Sequence, residues 1–229
     1  MKNSSQATSQ RSIVIFKLGV LSFALCTFLH AQETSLVTLA RLKYQGGGDW
    51  YNDPDALPNL AKELNQRTNI ATYENEIAIT LLDDKLYNYP FLFMTGHGNI
   101  GFNEQEVTRL RNYLSSGGFL YADDDYGMDE SFRREMKKVL PNQELVELSF
   151  DHPIYHMIYN FPNGLPKIHE HYEGPPKGFG IFYQDRLVVY YTYNTNISDG
   201  WTIAHDDPPE KRDAALQMGI NIIAYVLTH

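Results

Sequence analysis

Three clusters of residues in this sequence carry side chains able to do chemistry. Asp123-Asp124-Asp125 is an acidic triplet at the end of one apolar run, and His97 stands between two glycines at the end of another. His169 and His171 are two apart, which puts both imidazoles on one face of an extended segment in a spacing met in metal sites. Asp49 and Trp50 follow three glycines, with Asp53 and Asp55 close behind. Carboxylates beside an imidazole can bind a metal or hold a proton at a shifted pKa. The ligand-binding candidates are therefore Asp49, Trp50, His97, Asp123, Asp124 and Asp125, and the metal candidates His97, Asp124, His169 and His171. No catalytic residue is assigned. Ordinary structural roles compete with each of these: the triplet can cap the next helix and satisfy loop amides, and His97 can fill a gap. Glu170 points away from the two histidines of its segment. His152, before Pro153, reads as a turn residue, and His205 as a solvated residue of a polar loop. Tyr172, Tyr183, Tyr190, Tyr191, Tyr193 and Trp201 would suit a sugar by stacking, and suit equally a sheet packed on a helix.

The elements that must position these groups are marked by periodicity. Residues 91–95 are short and apolar, as a strand buried on both faces requires, and Gly96-His97-Gly98 reads as its end. Asn103 with Glu106 forms a capping-box pattern. Val107, Leu110 and Leu114 make one apolar helical stripe, which Gly117-Gly118 stops. Residues 119–122 form a second strand ending at the triplet. Strand, helix and strand make a right-handed crossover with polar groups at the carboxyl ends, where open α/β sheets bind ligands. Further elements are expected as a strand over 36–44, a helix over 55–67, a short strand at 76–80 and a helical turn at 83–89. A helix over 129–140 follows, then a half-buried strand at 145–150, a hairpin of 181–183 with 187–193, a polar loop over 194–212 and a closing helix over 213–227.

Residues 1–31 read as a signal peptide: Lys2, Arg11 and Lys17 precede an apolar stretch at 18–29, and cleavage after Ala31 leaves a single domain over 32–229. The stretch is too short to span a bilayer comfortably, and Leu25 before Cys26 does not fit a lipoprotein signal. Cleavage removes the one cysteine and three basic residues, taking the net charge from −9 to −12. The remaining 198 of 229 residues have no disulfide and suffice for one buried core. Such a charge argues against nucleic acid and anionic membrane surfaces as partners. Nothing apolar after residue 31 is long enough to insert in a membrane. The expected location is the periplasm or the medium, and the partners left are a small molecule, a glycan or a protein. The only cofactor the sequence suggests is a divalent metal. Gly46-Gly47-Gly48 has neither dinucleotide nor P-loop spacing and no lysine, and its neighbouring aspartates would repel a phosphate.

Several motifs occur in a shared order: Tyr44-Gln45-Gly46-Gly47-Gly48-Asp49-Trp50-Tyr51, then Asp123-Asp124-Asp125-Tyr126-Gly127 after a Gly-Gly strand start, then Asp151-His152-Pro153-Ile154. With Gly200-Trp201 and Gly219-Ile220-Asn221-Ile222-Ile223-Ala224-Tyr225, the chain from about residue 37 onward resembles the domain-of-unknown-function 4159 family. The resemblance implies an α/β fold, a three-layer flavodoxin-like arrangement of the class I glutamine-amidotransferase type. Its mainly parallel central sheet carries helices on both faces and an added β-hairpin. It implies no established activity. In that wider fold the nucleophilic cysteine follows a strand beginning Gly-Gly, and the matching position here is Asp123 or Asp124. Thiolate chemistry is excluded, and no G-x-S-x-G elbow replaces it. The leading expectation is an exported, non-catalytic domain that binds a ligand or partner. The alternative is a hydrolase or carbohydrate-processing enzyme using an Asp/His cluster, with or without a metal. Convergence of these side chains in one cleft would favour the alternative.

Overall fold

The computed structural model describes residues 36–229, so the expected signal peptide lies outside the described residues. In chain order the elements are β1 (Ala40–Leu42), α1 (Ala56–Arg67), β2 (Ile77–Ile79), β3 (Phe91–His97), α2 (Glu104–Ser115) and β4 (Phe119–Tyr126). They continue with α3 (Asp129–Val139), β5 (Val146–Glu147), β6 (Lys177–Tyr183), β7 (Arg186–Tyr193) and α4 (Pro209–Thr228). The strands form one sheet in the order β2-β1-β3-β4-β7-β6-β5. Neighbours from β2 to β7 run parallel, while β6 and β5 are antiparallel. The parallel part thus has the 2-1-3-4-5 order of flavodoxin-like doubly wound sheets, whose ligands sit beyond the carboxyl ends.

Strand alternation splits the core into two. Phe91, Phe93 and Tyr121 face α1 and α4, packing with Leu57, Leu60, Ile220 and Trp201. Leu92, Met94 and Leu120 face α2 and α3, packing with Leu110, Leu114, Phe132 and Met136. Both faces are covered, which is why residues 91–96 are buried without a break. Each such apolar side chain contributes about 1.5–3 kcal/mol. The capping box forms: Asn103 Oδ1 accepts from the amides of Gln105 and Glu106 at 2.9 and 3.0 Å, and Glu106 Oε2 from the Asn103 amide at 3.0 Å. No helix among the described residues is long and apolar enough to cross a membrane.

Several boundaries differ from expectation. The strand over 36–44 shrinks to β1, and that at 145–150 to the exposed, two-residue β5, which pairs with β6 alone. Two strands run further than their apolar residues. β3 continues through Gly96 to His97, and β4 continues through the whole acidic triplet to Tyr126. Neighbouring strands supply the reason, since Thr95 pairs with Asp123, Gly96 with Asp124, and Asp123 with Thr192. Gly96 has φ +137°, and a β-carbon there would collide with the Tyr44 hydroxyl and Asp49. The expected hairpin forms, and its β7 strand serves as the fifth parallel strand of the sheet. Its turn places Gln184 and Asp185 at φ +50° and +62°, the two left-handed residues of a tight hairpin loop.

Candidate functional site

Because the triplet lies in a strand, its carboxylates alternate in direction. Asp124 turns to the α3 side, where Oδ1 accepts from the Met128 amide at 2.9 Å and Oδ2 from the Tyr191 hydroxyl at 3.2 Å. It braces the turn into α3, and burial pushes its pKa up to about 6. Asp123 is fully buried on the other side, accepting from the Thr192 hydroxyl and, at 2.6 Å, from the Ser198 amide. It pins the loop after β7 to the sheet. Asp125 alone of the three meets an imidazole: its Oδ2 lies 3.1 Å from His97 Nδ1. That oxygen also accepts from Asn52, and Oδ1 accepts from Asn196.

His97 is held from both sides. Asp49 takes its backbone amide through Oδ1 and stands 3.0 Å from Nδ1 through Oδ2. Partial burial of the ring disfavours its charge, but the Asp125 and Asp49 carboxylates outweigh that and raise its pKa. Burial pushes Asp49 up, yet the His97 amide and ring bring it below the usual value. Both shifts favour the charged form of the pair, which stands at the mouth of the site.

Behind it lies a second cluster. Asp199, in a 3₁₀ turn (Asp199–Trp201), lies 2.8 Å through Oδ2 from His169 Nδ1. His169 Nε2 is 3.2 Å from Asp207. The bond to Asp199 is the main cause of a raised His169 pKa. His205 Nε2 lies 2.8 Å from Asp53 Oδ1 and 3.7 Å from Asp199 Oδ1. Desolvation lowers the His205 pKa, but Asp53 and Asp199 outweigh it and the net shift is upward. Asp53, Asp125 and Asp199 are buried, with oxygens within 4.8 Å of one another, and His169, Asp199 and His205 converge equally closely. Charged carboxylates at that separation repel by about 3 kcal/mol per pair at an effective dielectric near 20. Burial accordingly raises Asp199 to about 6, and lifts Asp125 despite His97. Two buried acceptors at this point, Asp199 Oδ1 and Asn196 Oδ1, have no hydrogen-bond partner. Each such group costs about 1–3 kcal/mol.

Arg41 on β1 positions the loop that brings Asn52 and Asp53 here. Only 1% exposed, it donates to the carbonyls of Asn52 and Asp53 at 2.7 and 2.9 Å and pairs with Glu76 at 2.9 Å. That grip holds Asp53 at φ +49°.

Of the expected residues, the fold brings Asp49, His97 and Asp125 together, with His169 in the adjoining cluster. Asp123 and Asp124 serve the scaffold. Trp50 lies under the Lys43 ammonium, 5.1 Å from it, and packs on the α2 and α3 core. His171 packs against Tyr126, ring centres 5.1 Å apart, and bonds to no carboxylate. His152 takes the Ile154 amide in its turn, as expected. His205 stays exposed on its loop, as expected, while its Nε2 reaches Asp53 and Asp199 at the edge of the cluster. Sequence reasoning did not single out Asn196, Asp199 and Asp207, nor the approach of Asp53 and His205 to them. For all but Asp53, which follows β1, the signal was the polar density of the loop after β7, legible only once β7 is known to lie beside β4.

Residues 38–227 match a family model described as "Domain of unknown function (DUF4159)". No curated protein matches the chain.

Proposed function

The chain belongs to the family of the domain of unknown function DUF4159, and on that premise we propose that it is an exported α/β protein binding a hydroxyl-rich ligand at the carboxyl edge of its sheet. The observation that carries this is the His97 ion pair set beside exposed aromatic faces. Tyr126 follows Asp125 directly and is 47% exposed. Its ring stacks on Tyr172 at 5.5 Å, and Tyr172 on Tyr193 at 5.6 Å. Aromatic faces next to carboxylate acceptors suit a sugar or another polyol. Export is supported by the basic residues ahead of the apolar stretch at 18–29, and N-terminal sequencing of the processed protein should read from near Gln32. An amidotransferase-type sheet is supported by the strand order and the Gly117-Gly118 pair just before β4. In that frame Asp123 or Asp124 stands at the nucleophile position, and the lone Cys26 lies outside the matched residues.

The test is calorimetric titration with a panel of mono- and oligosaccharides. Binding should weaken at least tenfold in Tyr126→Ala and His97→Gln. A panel with no binder, or binding indifferent to both changes, overturns the reading. Hydrolysis is the second reading, favoured by one feature: both carboxylates engage His97 Nδ1, and Nε2 has no partner among the described residues. Above its raised pKa the imidazole is neutral, and with Nδ1–H held by the carboxylates its Nε2 could act as a general base toward water. Turnover of the bound saccharide, abolished in His97→Gln while binding persists, would establish it.

A further inference from the structure

We propose that Asp53, Asp199 and His205, with Asp125 as a fourth donor, form the ligand set of a divalent transition-metal ion, and that His169 and Asn196 position it. The inference deepens the reading of this edge as a ligand site, on which it rests.

Carboxylate oxygens and imidazole nitrogens bind such ions at about 2.0–2.2 Å, so ligand atoms in one shell stand about 2.9–3.5 Å apart. His205 Nε2 lies 2.8 Å from Asp53 Oδ1 and 3.7 Å from Asp199 Oδ1, close to that separation on both sides. Asp125 offers an oxygen within 4.8 Å of both carboxylates.

An acidic cluster alone would not point to an ion; the orphaned acceptors do. Asp199 is 2% exposed, and its Oδ2 is engaged by His169 at 2.8 Å and by Asn196 at 2.8 Å. Its Oδ1 has no donor and faces His205. Asn196 is 1% exposed and spends its amide hydrogens on Asp125 and Asp199, leaving Oδ1 without a partner. One orphan is therefore a ligand atom, and the other is placed to accept from a metal-bound water. The remaining oxygens are gripped from outside: Asn52 donates to Asp53 Oδ2 at 3.1 Å and to Asp125, and Asp207 holds the far nitrogen of His169. Outer partners that fix ligand orientation in this way accompany metal sites. The mix of hard oxygens and imidazole suits zinc, manganese or ferrous iron.

The experiment is titration of the chelator-treated full protein with Zn²⁺ and Mn²⁺, followed by calorimetry and thermal melts, with Co²⁺ absorption reporting coordination. One ion per chain should bind and raise the melting temperature. Asp199→Asn and His205→Gln should each weaken affinity at least about 100-fold while melting normally without metal, which separates ligand loss from unfolding. No saturable binding of either ion, or binding that both variants retain, overturns the proposal. Saccharide binding by protein that takes up no ion would sink the metal alone. Ion binding without any saccharide binder would sink the ligand reading alone.

Discussion

A single alternation decides what each member of the acidic triplet does. Asp124 and Asp125 are chain neighbours with opposite surroundings, one bracing the Met128 turn and the other facing His97. Asp125→Asn should therefore abolish binding at the edge. Asp124→Asn should leave binding intact and change stability by no more than about 1 kcal/mol, since an amide oxygen can still take the Met128 hydrogen bond. Parallel titrations and urea melts of the two variants check this; loss of binding in Asp124→Asn would contradict it. The triplet was visible in the sequence, but its division of labour was not. Polar residues read as the end of a strand, and only the pairing of Asp123 and Asp124 with Thr95 and Gly96, and of Asp123 with Thr192, reveals that the strand continues.

Among elements, the loops are held by buried charge on the scaffold. Arg41 reaches from β1 to three backbone carbonyls of the loop at 50–53 as well as to Glu76. Arg41→Met keeps the bulk and removes the donors. It should cost about 3 kcal/mol by leaving carbonyls and Glu76 unpaired, and should weaken edge binding because Asp53 loses its support. A urea midpoint close to that of the parent would refute it. Glu135 plays the same part for α3, accepting from the Phe102 amide at 3.1 Å and from Arg134 and Lys138. Desolvation raises its pKa, but Lys138, Arg134 and the amide outweigh it, and the net shift is downward. A depressed carboxyl stabilises above its unfolded value, about 4.3 for glutamate, and that contribution fades as pH falls through the folded value. The stability gap between parent and Glu135→Gln should thus be full at pH 7 and shrink below about pH 4.3. Melts across pH 3–7 read it directly, and a gap constant with pH would refute it. Elements of this kind were the legible part of the chain. The stripe of Leu110 and Leu114, the Asn103 cap and the run at 91–95 each carry their own periodicity. Asp53, Asp199 and His205 carry none, because they meet only through the stacking order of β1, β3, β4 and β7.

On the scale of the whole molecule, that order has a consequence in time. β7 is among the last strands to be synthesised, yet it sits in the interior of the sheet, between β4 and β6. Until residues 186–193 arrive, β4 presents an open edge with apolar side chains on both faces, a template for pairing with other chains. The loop that follows β7 carries Asn196, Asp199 and His205, so the cluster cannot exist in a partly made chain. A chain cut after residue 175 should therefore be insoluble and prone to association rather than a smaller folded domain. Sedimentation of the truncated product against the full chain reads this, and a soluble, cooperatively melting fragment would refute it. During synthesis the growing protein is a sheet with a vacant central place, and any factor that shelters it must stay until nearly the last helix is made.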